Sequence, residues 1–378
     1  MNRIAIYMCN MGKAIIGGKD QVIYNLIKGF QENGQAQAFF CICHKNIEER
    51  IRRISPDIGI ITVPSFKRKW LKLKWSETLR DMAIQYQLRK NKIDVMLISS
   101  KFATDRKYSV KTAEIPHDVQ AFERIKDHPE MYINNAEDEK DAAEKDAEKL
   151  LKEFRKRDYI VAISQYDKGK MREYLPWLQG RIKQIYNPIV FPEYEERNEA
   201  LVEFITALNI QFRHKNIETL IYAFDRIKAR TDFNLMLIGR DKSQYVKGLK
   251  ELVNQLGLKD RVIFSGYVSY EEMHRIMART AFYVSPSYFE GFGMSSIEMM
   301  AAGVPSIIAD NSAQREVTQD LCRYYSPADD IEALKEAMLA EIENPASKIR
   351  LEEISNIIRK KYDYRDIASQ YFEFLQSI

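Results

Sequence analysis

Short apolar runs rich in β-branched and aromatic residues alternate with stretches of helical periodicity along nearly the whole chain, and this alternation limits the possible folds more than any other feature. In the first half, RIAIYMCN (3–10), AQAFFCICH (36–44), DIGIITV (57–63) and DVMLIS (94–99) read as strands, and DQVIYNLIKGFQENG (20–34) reads as a helix closed by Gly34. A second series begins with ALVEFITALN (200–209) and a helix from Ile217 to Arg230. It continues through FNLMLIG (233–239), a helix over 243–256, RVIFSGY (261–267), a helix over 270–279, AFYVSPS (281–287), a helix from Met294 and VPSIIAD (304–310). From Ile331 the tail reads as helices, the last over 364–378. Strands in series with helices imply parallel sheets covered on both faces, because parallel neighbours need a long crossover connection. The expected fold class is α/β, with two doubly wound domains facing across a cleft and ligands at the carboxyl ends of the strands.

The two series meet at a segment holding Pro188, Pro192 and EYEER (193–197), which reads as the linker. The expected domains are therefore residues 1–190 and 191–361, with the helix over 362–378 packing back on the first. A chain of 378 residues agrees with two domains of ordinary size. The charge is divided at the same place. Residues 1–185 carry 35 Lys and Arg against 25 Asp and Glu, and the remainder 23 against 29, so the first half is basic and the second mildly acidic. That asymmetry suggests an anionic surface or substrate for the first half. Glu and Lys at helical spacing in EDEKDAAEKDAEKLLKEFRKRD (137–158) read as a solvated helix with one apolar edge. No run approaches the roughly 20 apolar residues that span a bilayer, and the opening is too short in its apolar part for a signal peptide, so the expected compartment is the cytoplasm. Cys9, Cys41, Cys43 and Cys322 lie in apolar runs and read as small buried hydrophobes, not as a disulfide framework or metal set.

The most informative stretch is PSYFEGFGMSSIEMMAAGVPSIIAD (286–310). A strand ends at Pro286, the turn Glu290-Gly291-Phe292-Gly293 follows, and an apolar-periodic segment with Ile297, Met300 and Ala301 runs to Gly303 and Pro305. Glycines let a backbone approach a ligand, and the first turn of a helix offers N–H groups and a positive dipole end to an anion such as a diphosphate. Glu290 and Glu298 flank that turn, and carboxylates are good acceptors for vicinal sugar hydroxyls. A glycine turn of purely structural purpose has the same look, so the stretch by itself leaves both readings open.

The wider pattern resembles the E-x7-E region of the retaining nucleotide-sugar glycosyltransferases of family 4, with Glu290 and Glu298 as its two glutamates and Ala302-Gly303-Val304-Pro305 as its ending. Further matches follow in the family's order. IIGGKDQVIYNLIKGF (15–30) is similar to its N-terminal glycine loop, with Gly17 and Gly18, and IPHDVQAFE (115–123) to its His-Asp motif. VAISQYDK (161–168) is similar to its V-x-x-S strand end and YNPI (186–189) to its Asn-Gly turn. RHKNIETLIYAF (213–224) resembles its Lys-Asn helix entry, and VIFSGYVSYEEM (262–273) its glycine-containing strand end. The resemblance implies the GT-B architecture, two Rossmann-like domains with the acceptor on the first and the nucleotide-sugar on the second. It implies that Lys215 neutralises the donor diphosphate, Glu298 holds the ribose hydroxyls and Glu290 those of the donor sugar. The backbone around Gly291, Phe292, Gly293 and Met294 would bind phosphate or sugar, and His117 would sit beside the donor sugar. His44, His128, His214 and His274 have no such motif and read as structural, His214 less firmly because it adjoins Lys215.

Three departures from the family pattern matter. Leu208-Asn209 stands where Gly-Arg is usual, so a second phosphate-binding cation is missing there, with Arg213 as the substitute to consider. Ser295 replaces a proline and is acceptable near a helix start as an N-cap donor or acceptor, and Pro188 follows Asn187 where glycine is usual. The implied activity is transfer of a sugar, from a UDP-sugar on class frequency, to a saccharide acceptor, lipid-linked, in bacterial surface polysaccharide synthesis. Retention is expected through same-face attack, without cofactor or metal, since no D-x-D signature is present. A GT-B phosphorylase or disaccharide synthase on soluble sugars, and a non-enzymatic sugar-nucleotide-binding protein, are the alternatives. Finally, SFKRKWLKLKW (65–75) places Lys67, Arg68, Lys69, Lys72 and Lys74 beside Trp70 and Trp75. This stripe suits docking on the anionic inner leaflet or an acceptor surface; aromatic residues tucked into the domain edge under solvated lysines would look the same. Nucleic acid is not expected as a partner, because no recognised binding module surrounds the stripe.

Overall fold

In a computed structural model of the chain, residues 1–12, 18–64, 73–99, 106–117, 122–123, 137–194 and 202–378 are described, with the backbone alone for residues 19, 73–77 and 137–143. The chain divides into two compact units, Met1–Val190 with Tyr362–Ile378, and Phe191–Lys361.

The first unit is built on β1 (Ile4–Tyr7), β2 (Phe39–Cys43), β3 (Gly59–Thr62), β4 (Val95–Ser99), β5 (Lys111–Ile115), β6 (Tyr159–Ala162) and β7 (Ile182–Gln184). Their spatial order is β3-β2-β1-β4-β5-β6-β7, and every pairing is parallel. Described helices of this unit are α1 (Gly18–Glu32), α2 (Lys45–Ile54), α3 (Leu73–Lys90), α4 (Glu137–Phe154) and α5 (Gln165–Tyr174). The expected strand over 36–44 begins only at Phe39, because Ala36–Ala38 form a short 3-10 turn. All four residues of β1 and all five of β4 are buried, as expected of central strands covered on both faces. Ser164, at the end of the V-x-x-S run, caps α5 by accepting the Asp167 N–H at 3.0 Å.

The second unit carries β8 (Phe204–Leu208), β9 (Asn234–Ile238), β10 (Val262–Gly266), β11 (Thr280–Ser285), β12 (Ser306–Ala309) and β13 (Arg323–Tyr325). Their order is β10-β9-β8-β11-β12-β13, again parallel throughout. Its helices are α6 (Ile217–Ile227), α7 (Gln244–Gln255), α8 (Tyr270–Ala278), α9 (Met294–Ala301), α10 (Gln314–Val317), α11 (Ile331–Glu343) and α12 (Lys348–Lys361). Ile217, Leu220, Ile221, Phe224 and Ile227 recur at helical spacing, and all are fully buried on one face of the sheet. Met299, Val304, Ile308 and Met236 pack on the other face. Ser269 accepts the Glu272 N–H at 3.1 Å and Asp330 the Ala333 N–H at 2.9 Å, which sets the starts of α8 and α11 where a polar cap precedes an apolar run.

The last helix, α13 (Tyr364–Ser377), belongs to the first unit and lies on α1. Gly29 makes this approach possible: a Cβ there would meet the Ala368 Cβ at 2.5 Å and the Tyr364 carbonyl oxygen at 2.7 Å. Asn2 ties down the helix end, its Nδ2 donating to the carbonyls of Leu375 at 3.2 Å and Ile378 at 3.1 Å. The first part of the expected linker is fixed to this unit. Pro188 accepts from Asn25 Nδ2 at 2.9 Å, and the Ile189 N–H donates to the Tyr362 carbonyl at 3.0 Å.

Candidate active site

In both units strand order reverses beside the first strand, between β1 and β4 and between β8 and β11. Two diverging connections leave a crevice at the carboxyl ends of such strands, the usual ligand position in open α/β sheets. In the second unit, the segment leaving β8 carries Asn209, Arg213 and Lys215, and the one leaving β11 carries Ser287, Glu290 and Gly293. Residues 75 positions apart in sequence are thereby brought into contact, the Lys215 ammonium donating to Glu290 Oε1 in an ion pair. Both side chains are largely buried, 11% and 9% exposed. Ser287 Oγ donates to the same carboxylate oxygen at 2.8 Å.

The two segments are laced together around this pair. Asn216 adopts φ +52° and donates from Nδ2 to the Pro286 carbonyl at 3.1 Å and to the Ala328 carbonyl at 2.9 Å. The Tyr288 N–H donates to the His214 carbonyl at 2.9 Å. The His214 ring stacks between Phe212 and Phe289, at centroid distances of 5.7 and 5.1 Å, and so holds the Lys215 turn in place. The Glu290 N–H donates to Ser312 Oγ at 2.8 Å and its carbonyl accepts the Ala313 N–H at 3.2 Å, so the Glu290 backbone is fixed at both ends.

The glycine turn ends at Gly293, which takes φ +81° as the residue before α9, a left-handed conformation that favours glycine. Ser295 lies inside the helix and does not cap it. Its hydroxyl accepts Asn209 Nδ2 at 3.0 Å, because the left-handed Gly293 already occupies the cap position. Asn209 is thus turned to the start of α9, and the Arg213 guanidinium lies over the Tyr245 ring, 5.1 Å from its centroid. The Ser296 N–H donates to the Gly293 carbonyl at 3.0 Å, and by helix geometry the N–H groups of Met294 and Ser295 before it lack intrahelical acceptors and carry the positive end of the dipole. Lys215 and α9 together make the second unit's switch point suited to an anion.

Glu298 sits one turn into α9, and among the described residues no group hydrogen-bonds its carboxylate. Burial pushes this carboxyl up to about 7. Its charge, second to burial, raises the hydroxyls of Tyr194 and Tyr270, whose rings flank His274 at 5.2 and 4.3 Å. His274 is a packed aromatic neighbour of the Glu298 site, and His44, with Nδ1 3.0 Å from the Val63 carbonyl, is structural.

In the first unit, His117 follows β5 and takes φ +67°, unusual for a residue with a side chain. Its Nε2 lies 2.7 Å from the hydroxyl of Ser99, the last residue of the neighbouring strand β4. Gly18 opens α1 after β1. Gly17, Lys67, Arg68, Lys69, Trp70 and Lys72 lie outside the described residues, and Lys74 and Trp75 are described by backbone alone, within α3. Ser99, Ser287, Ser312 and Asn216 carry weight that sequence reasoning did not assign; Asn216, beside Lys215 in its motif, and Ser287, three residues before Glu290 in the 286–310 stretch, offered a signal. The cysteines are packed hydrophobes: burial pushes the Cys9, Cys43 and Cys322 thiols up to about 12.

Two parallel-sheet Rossmann-like units of this strand order are the GT-B class of glycosyltransferase fold. Residues 196–361 match the family described as glycosyl transferases group 1, and the chain carries a domain of that family. It is 29% identical over 182 residues to the O-antigen chain mannosyltransferase RfbU of Salmonella typhimurium, covering 48% of this chain and 50% of that protein. It is 26% identical over 165 residues to a GDP-mannose:cellobiosyl-diphosphopolyprenol alpha-mannosyltransferase of Xanthomonas oryzae pv. oryzae, covering 42% of each. The chain thus spans about half the length of these relatives or less. Among solved structures it is similar in fold to sucrose-phosphate synthase from Thermosynechococcus elongatus, with a TM-score of 0.78, 17% identity and coverage of 100% of this chain and 99% of that one.

The Glu298 carboxyl gives a pH test of this geometry. Its folded-state value is raised to about 7, above that of the unfolded chain, so its contribution to stability is fully present below about pH 4.5 and is lost as pH rises through 7. Denaturant unfolding of wild type and Glu298→Gln should show the difference in stability shifting against wild type by on the order of 2 kcal/mol between pH 4.5 and 8. Parallel pH curves would place Glu298 in ordinary solvent.

Proposed function

We propose that the chain is a retaining glycosyltransferase that moves a sugar from a nucleoside-diphosphate sugar to a saccharide acceptor. The observation that carries this reading is the largely buried Lys215–Glu290 pair beside the start of α9, at the switch point of the second sheet. Such a place supplies a cation and a dipole where a diphosphate leaving group gains charge, together with a carboxylate for hydroxyl groups. In the proposed reaction the bond from the anomeric carbon to the diphosphate oxygen breaks, and the acceptor oxygen bonds to that carbon on the same face. The acceptor's proton passes to the departing phosphate oxygen. Lys215 and the first turn of α9 stabilise the developing charge, which is the work a metal would otherwise do. Glu298 is assigned to the ribose hydroxyls, Glu290 to those of the sugar, and His117 to the reacting sugar by the motif around it.

The donor we favour is GDP-mannose. Two relatives named as mannosyltransferases, one of them for GDP-mannose, support it over the UDP-sugar expected from class frequency. The same relatives, one named for O-antigen chains and the other for a diphosphopolyprenol-linked acceptor, support a lipid-linked saccharide acceptor in surface polysaccharide synthesis. Lys215→Ala and Glu290→Gln should each lower turnover of GDP-mannose by about two orders of magnitude or more in protein that still unfolds in a cooperative transition well above the assay temperature. Turnover near that of wild type in either variant would overturn the site, and loss of turnover on removal of divalent metal would overturn the metal-free part.

The proposed work place is an anionic membrane surface. Among the described residues no helix is long and apolar enough to cross a membrane. On α3, Leu79, Met82 and Tyr86 share one face at intervals of three and four, and are 37%, 64% and 61% exposed. The opposite face buries Ile84 and Leu88 in the core. In sequence α3 follows from the basic-aromatic run 65–75, and apolar residues together with lysines are what an interfacial helix uses on acidic lipid. The protein should float with phosphatidylcholine vesicles containing phosphatidylglycerol and stay behind with phosphatidylcholine alone. Replacing Leu79, Met82 and Tyr86 together with serine should abolish flotation, and equal behaviour with both vesicles would contradict the docking.

A further inference from the structure

We infer that Glu290 occupies the diphosphate's cation when the site is empty, and that donor binding exchanges this ion pair, so that Glu290 favours the intact donor over the bare nucleoside diphosphate. The inference rests on the site reading above and adds a function to the pair. Among the described residues Lys215 forms its only ion pair with Glu290, and Glu290 its only one with Lys215. Both are largely buried, and a buried charge deprived of its partner is far less stable than a solvated one. Neither side chain can be released without finding a substitute.

A diphosphate can supply the substitute for Lys215. Once it does, two phosphate groups and a carboxylate surround one ammonium, and the carboxylate is repelled. The charge at Asn209 that could have eased this crowding is absent, and the Asn209 amide is engaged with Ser295. Glu290 must therefore turn away, and its backbone, pinned through Ser312 and Ala313, leaves rotation of the side chain as the means. The rotated carboxylate needs hydrogen-bond donors. The hydroxyls of a donor sugar supply them, and a bare nucleoside diphosphate has none at that end. Binding energy thus depends on both halves of the donor being present. After transfer the sugar has gone to the acceptor, Glu290 again lacks donors, and it competes with the product diphosphate for Lys215. The same pair that keeps the empty site neutral therefore assists product release.

The test is the dissociation constant, by calorimetry, of the one of UDP, GDP and ADP that raises the melting temperature most, without sugar. Lys215→Ala should weaken it about tenfold, and Glu290→Gln, which keeps the shape and removes the charge, should tighten it about tenfold, a change of 1.4 kcal/mol. Wild type should bind the intact donor more tightly than the diphosphate, and Glu290→Gln should lose that preference. Ser287→Ala, which removes a hydrogen bond holding Glu290 on Lys215, should tighten diphosphate binding about threefold and serves if Glu290→Gln does not fold. Unchanged or weaker diphosphate binding in Glu290→Gln and Ser287→Ala, with Lys215→Ala still weakened, overturns the exchange and leaves the site reading intact. Binding indifferent to Lys215→Ala overturns both.

Discussion

Parallel strands cannot be joined by a tight turn, and that constraint governs where chemistry can occur in this chain. Each crossover returns over a face of the sheet, so every strand ends at the same edge, and the connections part where strand order reverses. In the second unit this happens between β8 and β11. Lys215 and Glu290 meet there because each follows one of those two strands, and for no reason of sequence proximity. The first unit has the same plan: His117 and Ser99 meet because they end adjacent parallel strands.

Burial of the Lys215–Glu290 pair has two consequences. A cation held out of water acts on a diphosphate with less screening than one on the surface, which favours stabilisation of a leaving group. A partly desolvated pair must also stay paired or be re-paired, which ties the state of one residue to the occupancy of the other's ligand. The surrounding groups serve precision. Asn216 in its left-handed conformation, the ring stack of Phe212, His214 and Phe289, and the Ser312 contact to the Glu290 backbone hold the two loops in register. Glu298 differs in kind: its carboxyl is raised by burial and has no hydrogen-bonding neighbour among the described residues, which supports its proposed role toward a ligand's hydroxyls.

The alternation of strands and helices was legible in the sequence because it depends on local periodicity, and most element positions fall within two or three residues of expectation. Element ends were less legible. The run over 36–44 is apolar but for Gln37 and the closing His44, and one polar residue is too little to mark the 3-10 turn at Ala36–Ala38. Glu290, Glu298 and Lys215 stood out through their motifs, but the pairing of Lys215 with Glu290 did not, since strand order decides which loops are neighbours. Ser295 was compatible with a cap because it lies near the helix start; Gly293, free to take φ +81°, holds the cap position before Met294 and leaves the serine to Asn209. Ser99 gave no signal at all, being an ordinary serine whose role arises from a tertiary neighbour, whereas Ser287 stands in the motif three residues before Glu290 and only its hydrogen bond to that carboxylate was not foreseen.

The central claim is that the loops after β8 and β11 form a nucleoside-diphosphate site built on Lys215. It is tested most directly by melting temperature in the presence of UDP, GDP and ADP, for wild type and Lys215→Ala. A ligand that binds only the folded state stabilises it by about 2.7 kcal/mol at one hundred times its dissociation constant, enough to raise the midpoint by several degrees. The account predicts such a rise in wild type with one of the three nucleotides, and a much smaller one in Lys215→Ala at the same concentration. Equal rises in the two proteins, or none with any nucleotide, would contradict it.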